Sequence, residues 1–138
     1  NAPGQVVLSG DLEACDRALT AAEAAGLRAT TLAVAGAFHS PLMADAADRL
    51  REALANTTIT EPTCPVLSNV TAQPHTTPDE IRARLAAQLT QPVRWADCCQ
   101  WLIAHVPGEM HELAPGKTLA GLMRRIDRAA KVTTHDTP

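Results

Sequence analysis

Aromatic side chains are scarce in this sequence: of its 138 residues, one is Phe, two are Trp and none is Tyr. We therefore expect a hydrophobic core built from Ala, Leu, Val and Ile. The formal net charge is −3, and the chain shows no basic cluster. A nucleic acid needs basic side chains for its phosphates and aromatic platforms for its bases, so this composition argues against nucleic acid as the main ligand.

Long apolar runs and paired cysteine motifs are also missing. No apolar run approaches the roughly 20 residues of a membrane-spanning helix, so no membrane partner is expected. The four cysteines show no Cys-x-x-Cys spacing, and there is no secretory signal; they are Cys15, Cys64, Cys98 and Cys99. This usage predicts buried free thiols in a reducing, cytoplasmic environment. Adjacent cysteines on a helix point about 100° apart, so no metal site is expected.

The hydrophobic pattern alternates between strands and helices. Val6–Ser9 and Ala29–Val34 are predicted strands, and a helix lies between the capping residue Asp11 and the stop at Gly26. Val66–Ser68 is a third predicted strand. This alternation favours an α/β arrangement with parallel strands.

The remaining elements follow the same logic. Thr77 is a helix N-cap, with Pro78 at the first helical position and Glu80 completing a capping box. Other predicted elements are a helix over Leu42–Ala55, a helix from Trp95, a strand over Glu109–Leu113, and a last helix with Leu119, Leu122, Met123 and Ile126 on one face. The polar tail from Thr133 is expected to fray.

His39 is the first candidate for chemistry. It lies in a glycine-containing turn directly before a helix, next to Phe38, the only Phe. Turns between strands and helices open at the edge of a sheet, where ligands bind, so a general base is a reasonable role. A structural histidine that satisfies a turn carbonyl is the alternative.

Gln88 is the second candidate, because it lies on the apolar stripe of its helix. A buried polar side chain without hydrogen-bond partners costs about 1–3 kcal/mol, which places Gln88 in a polar pocket or at its rim. A partly exposed Gln at a frayed helix end is the alternative. Asn1 and Gln5 flank Pro3-Gly4, for which turn formation is the simpler explanation. The sequence contains no Gly-x-Ser-x-Gly nucleophile elbow.

Four segments carry a family resemblance. They are Asn1–Gly10, Gly36–Met43 around His39, Gln88–Trp95 and Glu112–Leu119. In this order they resemble the signature segments of malonyl-CoA:acyl-carrier-protein transacylases, and they reach from Asn1 to about Ile126. Ala114 departs from the family pattern, which usually has Gly there. The Pro-Gly-Gln and Pro-Gly-Lys sequences are more similar to the discrete fatty-acid enzymes than to polyketide synthase domains.

The resemblance implies a fold in two parts, an α/β-hydrolase-like acyltransferase core and a ferredoxin-like small subdomain inserted in it. Residues 1–34 would form the second half of the small subdomain, and residues 35–138 the carboxy-terminal part of the core. The chain begins with Asn1 rather than Met, so we expect a fragment or a processed product. By the resemblance, the serine nucleophile, the oxyanion donors and the malonate-binding Arg belong to a missing amino-terminal half.

The resemblance also implies a reaction, the transfer of malonyl from malonyl-CoA to the phosphopantetheine thiol of acyl carrier protein in fatty acid biosynthesis. His39 would be the catalytic base, and Gln88 would orient it through its main-chain carbonyl at roughly 2.7–3.2 Å. Asn1, Gln5 and Phe38 would bind substrate. No metal and no cofactor beyond the two substrates is implied; the partners would be acyl carrier protein and the amino-terminal half.

Two other functions stay open. The chain could be a non-catalytic module that binds carrier protein or coenzyme A, or part of a polyketide synthase acyltransferase domain. The complete segments around His39 and Gln88 favour an enzyme, because a module that only binds has no need of a base. The chain alone is expected to be inactive and to expose apolar faces.

Overall fold

The computed structural model describes residues 1–113 and 115–135. Contacts within the chain divide it into two compact units. The first unit comprises Asn1–Val7, Pro62–His75 and the described residues from Val93 onward, and the second comprises Leu8–Glu61 and Thr76–Pro92. The predicted division into residues 1–34 and 35–138 concerns subdomains of the family and stays a prediction.

The second unit is helical in its described residues. It contains α1 (Leu12–Ala24), a 3-10 turn (Pro41–Met43), α2 (Ala44–Ala55) and α3 (Pro78–Gln88). The predicted helix over 42–55 is therefore confirmed as an α-helix preceded by one 3-10 turn. Pro41 begins that turn because its fixed φ suits a first helical position and its missing N–H costs nothing there.

The ends of α1 are those that the sequence predicts. The Asp11 carboxylate accepts a hydrogen bond from the N–H of Ala14 at 2.7 Å, which caps the first turn. Gly26 follows the helix with φ +70°, and the next N–H bonds back to the carbonyl of Ala22. No residue of α1 is buried, and Leu12 is 86% exposed.

Helices α2 and α3 pack against each other, with Ala47 and Ala86 buried. Arg82 on α3 donates from Nε to the carbonyl of Leu54 at 3.1 Å and from Nη2 to that of Thr57 at 3.0 Å. The carbonyl of Leu54 also accepts the main-chain N–H of Thr57 at 3.2 Å, so the guanidinium adds a further donor just after the end of α2 and fixes α3 beside it.

The start of α3 differs in detail from the predicted capping box. Thr77 accepts the N–H of Glu80 as expected. The Glu80 carboxylate, however, accepts from the N–H and the hydroxyl of Thr76. Hydrogen bonds from Thr76 lower the pKa of the Glu80 carboxyl, because they favour its charged form.

The first unit contains helices and a small sheet. Its described elements are α4 (Trp95–His105), β1 (Met110–Glu112), α5 (Thr118–Ile126) and β2 (Val132–Thr134). Strands β1 and β2 pair in parallel, with His111 opposite Thr133. The parallel pairing agrees with the predicted α/β class. For residues 133–135 the expectation of a frayed tail is wrong, because β2 and the N–H of His135 bond to β1. The rest of that tail, residues 136–138, lies outside the described residues.

Other strand predictions are wrong within the described residues. Residues 6–9 and 29–34 form no strand, and Val6, Leu8 and Val34 are 79%, 71% and 66% exposed. Residues 66–68 make only one antiparallel bridge, between Leu67 and Pro74. A strand forms only where a neighbouring strand accepts and donates its hydrogen bonds, and no described segment lies beside residues 6–9 or 29–34 in that way.

The core also differs from the expected mixture of Ala, Leu, Val and Ile. The buried apolar side chains are small or flexible: Ala2, Ala47, Ala72, Ala86, Cys98, Cys99, Ala120 and Met123. Small side chains are buried where two elements approach closely, whereas large aliphatic chains need a second layer to cover them. The exposed Val and Leu side chains match the predicted open apolar faces.

Candidate active site

His39 lies in a tight turn of the second unit, directly before the 3-10 turn at Pro41. Its φ is +64°, in the left-handed region that residues other than glycine rarely adopt. The side chain is exposed. A non-glycine residue in this conformation needs contacts that hold it there, and such residues are frequent at functional sites.

The end of α3 supplies those contacts. The Nδ1 atom of His39 lies 2.8 Å from the main-chain oxygen of Gln88, which agrees with the expected distance. The main-chain N–H of His39 donates to the carbonyl of Leu89 at 3.0 Å. A carbonyl oxygen only accepts, so Nδ1 carries a proton, and in the neutral imidazole Nε2 then keeps its lone pair. The ring is therefore fixed in the tautomer that a general base requires.

The position of these acceptors has an electrostatic consequence. Gln88 is the last residue of α3, and Leu89 is its C-cap. The last carbonyls of a helix lack partners within it and carry its partial negative charge. A proton taken up at Nε2 would place its charge beside these carbonyls, where a serine-type triad has a carboxylate.

The side chain of Gln88 also approaches the imidazole. Its Nε2 lies 3.2 Å from Nδ1 of His39. Two N–H groups cannot form a hydrogen bond with each other, so this contact becomes favourable only when the amide is rotated to present Oε1. The main-chain carbonyl is thus the acceptor that sets the tautomer. The half-buried position of Gln88 agrees with a place at the rim of a polar site.

Phe38 precedes His39 in the same turn and is 43% exposed. Its ring folds over Gly36: a Cβ at Gly36 would lie 3.6 Å from Cε2 of Phe38 and 3.8 Å from the sulfur of Met43. These are ordinary contact distances. Part of the ring therefore packs on its own turn, and the rest is open beside the imidazole-bearing residue.

Asn1 and Gln5 belong to the first unit and form a turn, as their spacing suggests. The N–H of Gln5 donates to the carbonyl of Ala2 at 2.9 Å, and Gly4 has φ +72°. Pro followed by a left-handed Gly is the pattern of a type II turn. The side-chain oxygen of Gln5 accepts from Nη1 of Arg125 at 2.8 Å, while Asn1 is exposed.

Sequence reasoning missed Ser40, which is only 5% exposed. Its Oγ donates to the carbonyl of Ala37 at 2.7 Å and accepts from the N–H of Leu42 at 3.3 Å. A Ser directly before Pro is a recognisable N-cap signal. The bond back across the turn, however, has no sequence signature.

Glu112 was also missed as a polar side chain of the core. It is 4% exposed, and its two carboxylate oxygens accept the N–H groups of Leu119 and Ala120, each at 2.9 Å. These N–H groups lie in the first turn of α5 and carry partial positive charge. Glu112 therefore fixes α5 to β1. This structural role accounts for a glutamate at the first position of the segment Glu112–Leu119.

The chain contains a local group of arginines, so the expectation of no basic cluster is wrong. Arg124, Arg125 and Arg128 line an open groove of about 480 Å³ on the first unit, together with Gly121. The three arginines lie within five positions of one another in the sequence. Arg124 and Arg125 lie in the last turn of α5 and Arg128 follows it, so a local grouping of positive charge exists although the net charge of the chain is negative.

All four cysteines are free, as expected, but only Cys98 and Cys99 are buried. Cys15 is half-buried, and Cys64 is exposed in the loop between Pro62 and Pro65, so the prediction of burial is wrong for Cys64. Burial raises the pKa of the Cys99 thiol to about 11, and it also raises that of Cys98. These thiols are therefore protonated at neutral pH.

Two further observations concern metals and membranes. Among residues 1–113 and 115–135, no three His, Cys, Asp or Glu side chains come together as metal ligands. In the same ranges, each helix is too short or too polar to cross a membrane.

The chain as a whole has counterparts among known proteins. Residues 1–134 match the model of the acyl transferase domain family, and the chain belongs to that family. The solved structures similar to it are acyltransferases, which supports the α/β class at the level of the fold.

Several relatives are malonyl-CoA:acyl-carrier-protein transacylases. The Escherichia coli K12 protein is 43% identical over 127 residues, which cover 91% of this chain and 41% of that protein. The crystal structure of the Xanthomonas oryzae enzyme superposes with a TM-score of 0.89 at 41% identity, covering 94% of this chain and 41% of that one. A malonyl-transacylase solved in complex with a type II PKS acyl-carrier protein has a TM-score of 0.89 at 35% identity, covering 94% and 42%. This chain thus spans about two fifths of the length of these relatives.

Proposed function

We propose that this chain is the part of a malonyl-CoA:acyl-carrier-protein transacylase that supplies the catalytic base. The observation that carries the proposal is the imidazole of His39, held through Nδ1 by the Gln88 carbonyl at 2.8 Å, while Nε2 makes no hydrogen bond to the part of the chain that the structure describes. This is the arrangement that a base acting on a nucleophile needs. The similarity to malonyl-CoA:acyl-carrier-protein transacylases supports malonyl-CoA and acyl carrier protein as the substrates.

In the proposed reaction, Nε2 of His39 takes the proton of a serine hydroxyl supplied by a segment outside this sequence. The serine oxygen bonds to the malonyl carbonyl, and the carbon–sulfur bond of malonyl-CoA breaks. The proton on Nε2 passes to the departing thiolate, which leaves as coenzyme A. In the second half, the phosphopantetheine thiol of the carrier protein gives its proton to Nε2, attacks the acyl-serine, and the serine recovers that proton.

A neutral carbonyl is a sufficient partner for this imidazole. A thioester is already activated and a thiolate is a good leaving group, so the base needs less support than in amide cleavage. Asn1, Gln5 and Phe38 are proposed to bind substrate, and the enzyme is proposed to act in the cytoplasm in fatty acid biosynthesis, with no cofactor beyond its two substrates. The partner that completes the site is the serine-bearing segment of the same enzyme.

A chimera tests the proposal. This chain would replace the matching 127-residue segment of the Escherichia coli relative, and transfer of labelled malonyl from malonyl-CoA to acyl carrier protein would be measured. We expect turnover by the chimera, none by its His39→Ala variant, and none by this chain alone. Covalent malonyl label on the isolated chain, or a folded chimera without turnover, would contradict the proposal and favour a module that only binds.

A further inference from the structure

The turn that presents His39 is closed by a side chain rather than by the main chain alone. Ser40 is buried, and its hydroxyl donates to the carbonyl of Ala37 at 2.7 Å. This bond spans Phe38 and His39. The same oxygen accepts the N–H of Leu42 at 3.3 Å, so one hydroxyl joins the turn to the 3-10 segment that follows.

This closure coincides with the unfavourable backbone conformation of His39. A β-carbon in the left-handed region is crowded by the following carbonyl, so a non-glycine residue tends to leave that region when its neighbours are released. On one side, α3 holds the N–H and the ring of His39 through the carbonyls of Leu89 and Gln88. On the other side, the described contact that spans the turn is the Ser40 hydroxyl.

We propose that Ser40 is a positioning residue for His39, an inference that rests on the proposed role of His39 as the base. By closing the turn, the hydroxyl keeps φ of His39 positive, which holds Nδ1–H on the Gln88 carbonyl and leaves Nε2 unprotonated. Removing the hydroxyl also leaves the carbonyl of Ala37 and the N–H of Leu42 without this partner, so the native turn loses its advantage over other conformations.

The tautomer of His39 is the direct measurement, and it needs no catalysis. Imidazole ¹⁵N–¹H spectra of the full ¹⁵N-labelled chain, at an alkaline pH where imidazole is neutral, distinguish a proton on Nδ1 from one on Nε2. The His39→Gln variant identifies the His39 signals. We expect one tautomer with Nδ1–H in the wild type and a mixture of tautomers in Ser40→Ala.

Two further variants control this comparison. Ser40→Thr keeps the hydroxyl and suits the extended backbone of that position, so it should restore the single tautomer. Thr57→Ala removes another hydroxyl-to-carbonyl bond of the same unit, of 2.8 Å to Ala53, and should leave the tautomer unchanged. A folded Ser40→Ala chain that keeps only the Nδ1–H tautomer would overturn the proposal.

Kinetics of the chimera give a second readout. Ser40→Ala should lower kcat by roughly ten- to a hundredfold with KM for malonyl-CoA within about twofold, because a displaced base slows chemistry more than binding. Ser40→Thr should recover most of kcat. If Ser40→Ala does not fold, Ser40→Cys keeps a single heavy atom beyond Cβ but makes it a much weaker donor; a second tautomer is then expected, and its absence overturns the proposal. A wild-type chimera without turnover would instead refute the proposed function, since the tautomer result is independent of it.

Discussion

Replacing Gln88 by Ala is expected to preserve most of the transacylase activity proposed for the chimera, although Gln88 is one of the two residues in the proposed catalytic pair. The atom that holds the imidazole is the main-chain oxygen of Gln88, 2.8 Å from Nδ1 of His39, and Ala supplies the same oxygen. Helix α3 should keep its end there, because Ala has the highest helix propensity of all residues.

The size of the effect follows from what the substitution removes. The side-chain nitrogen of Gln88 lies 3.2 Å from Nδ1, a pair of donors that contributes no hydrogen bond. With the amide rotated, Oε1 would add one neutral acceptor, worth about 0.5–1.5 kcal/mol, or roughly 2- to 12-fold in rate. His39→Ala removes the base itself, for which losses of about 10²–10⁴-fold are typical.

The assay is malonyl transfer to acyl carrier protein by the chimera with the Escherichia coli relative. Gln88→Ala and His39→Ala would be compared at equal folded concentration, checked by circular dichroism. The reasoning is refuted if Gln88→Ala loses as much kcat as His39→Ala while remaining folded, because the side chain rather than the carbonyl would then hold the base.

Four further predictions concern other parts of the structure. Phe38→Ser should reduce the preference of the chimera for malonyl over methylmalonyl groups, by roughly 5- to 150-fold in the ratio of kcat/KM values, on the hypothesis that the ring lines the wall facing the substrate's α-carbon and leaves no room for an α-methyl. An unchanged ratio with intact turnover would show that Phe38 does not line the pocket. At neutral pH iodoacetamide should modify exposed Cys64 much faster than buried Cys99, whose pKa is raised to about 11, and peptide mass spectrometry would reveal equal rates if this is wrong. Because that pKa is raised only in the folded state, stability from Cys99 should be present below pH 9.0 and be lost as the pH rises towards about 11. Glu112→Ala should lower the free energy of unfolding by about 3 kcal/mol or more, since it removes two hydrogen bonds to a carboxylate. The control Glu109→Ala changes an exposed residue and should alter the free energy of unfolding by less than about 0.5 kcal/mol. Comparable urea midpoints for the two variants would contradict this.

The two ends of α1 and the start of α3 follow from the sequence alone. Asp11 caps α1, Gly26 stops it, and Thr77 with Pro78 begins α3. Each of these features depends on atoms within about four residues, so the local residue types are sufficient to predict them. The family segments likewise predict that His39 and Gln88 form a pair, because their residue types and order are specific in combination.

The strands depended on the tertiary structure. Residues 6–9 have the apolar pattern of a strand but no paired neighbour among the described residues, whereas the more polar segment Val132–Thr134 forms β2 because β1 lies beside it. Strand formation needs a partner that is distant in sequence, and the hydrophobic pattern of one segment contains no information about that partner.

In the candidate site, too, the sequence predicted the residues and the tertiary structure decided their contacts. The sequence indicated a base at His39, but its tautomer comes from a carbonyl 49 positions away. The hydrogen bond from Ser40 across the turn and the two hydrogen bonds that Glu112 accepts could be seen only in the tertiary structure. Each joins a side chain to main-chain atoms, and the direction of those atoms depends on how the chain turns. Residue type determines which groups can donate or accept, and only the tertiary structure decides which of them meet.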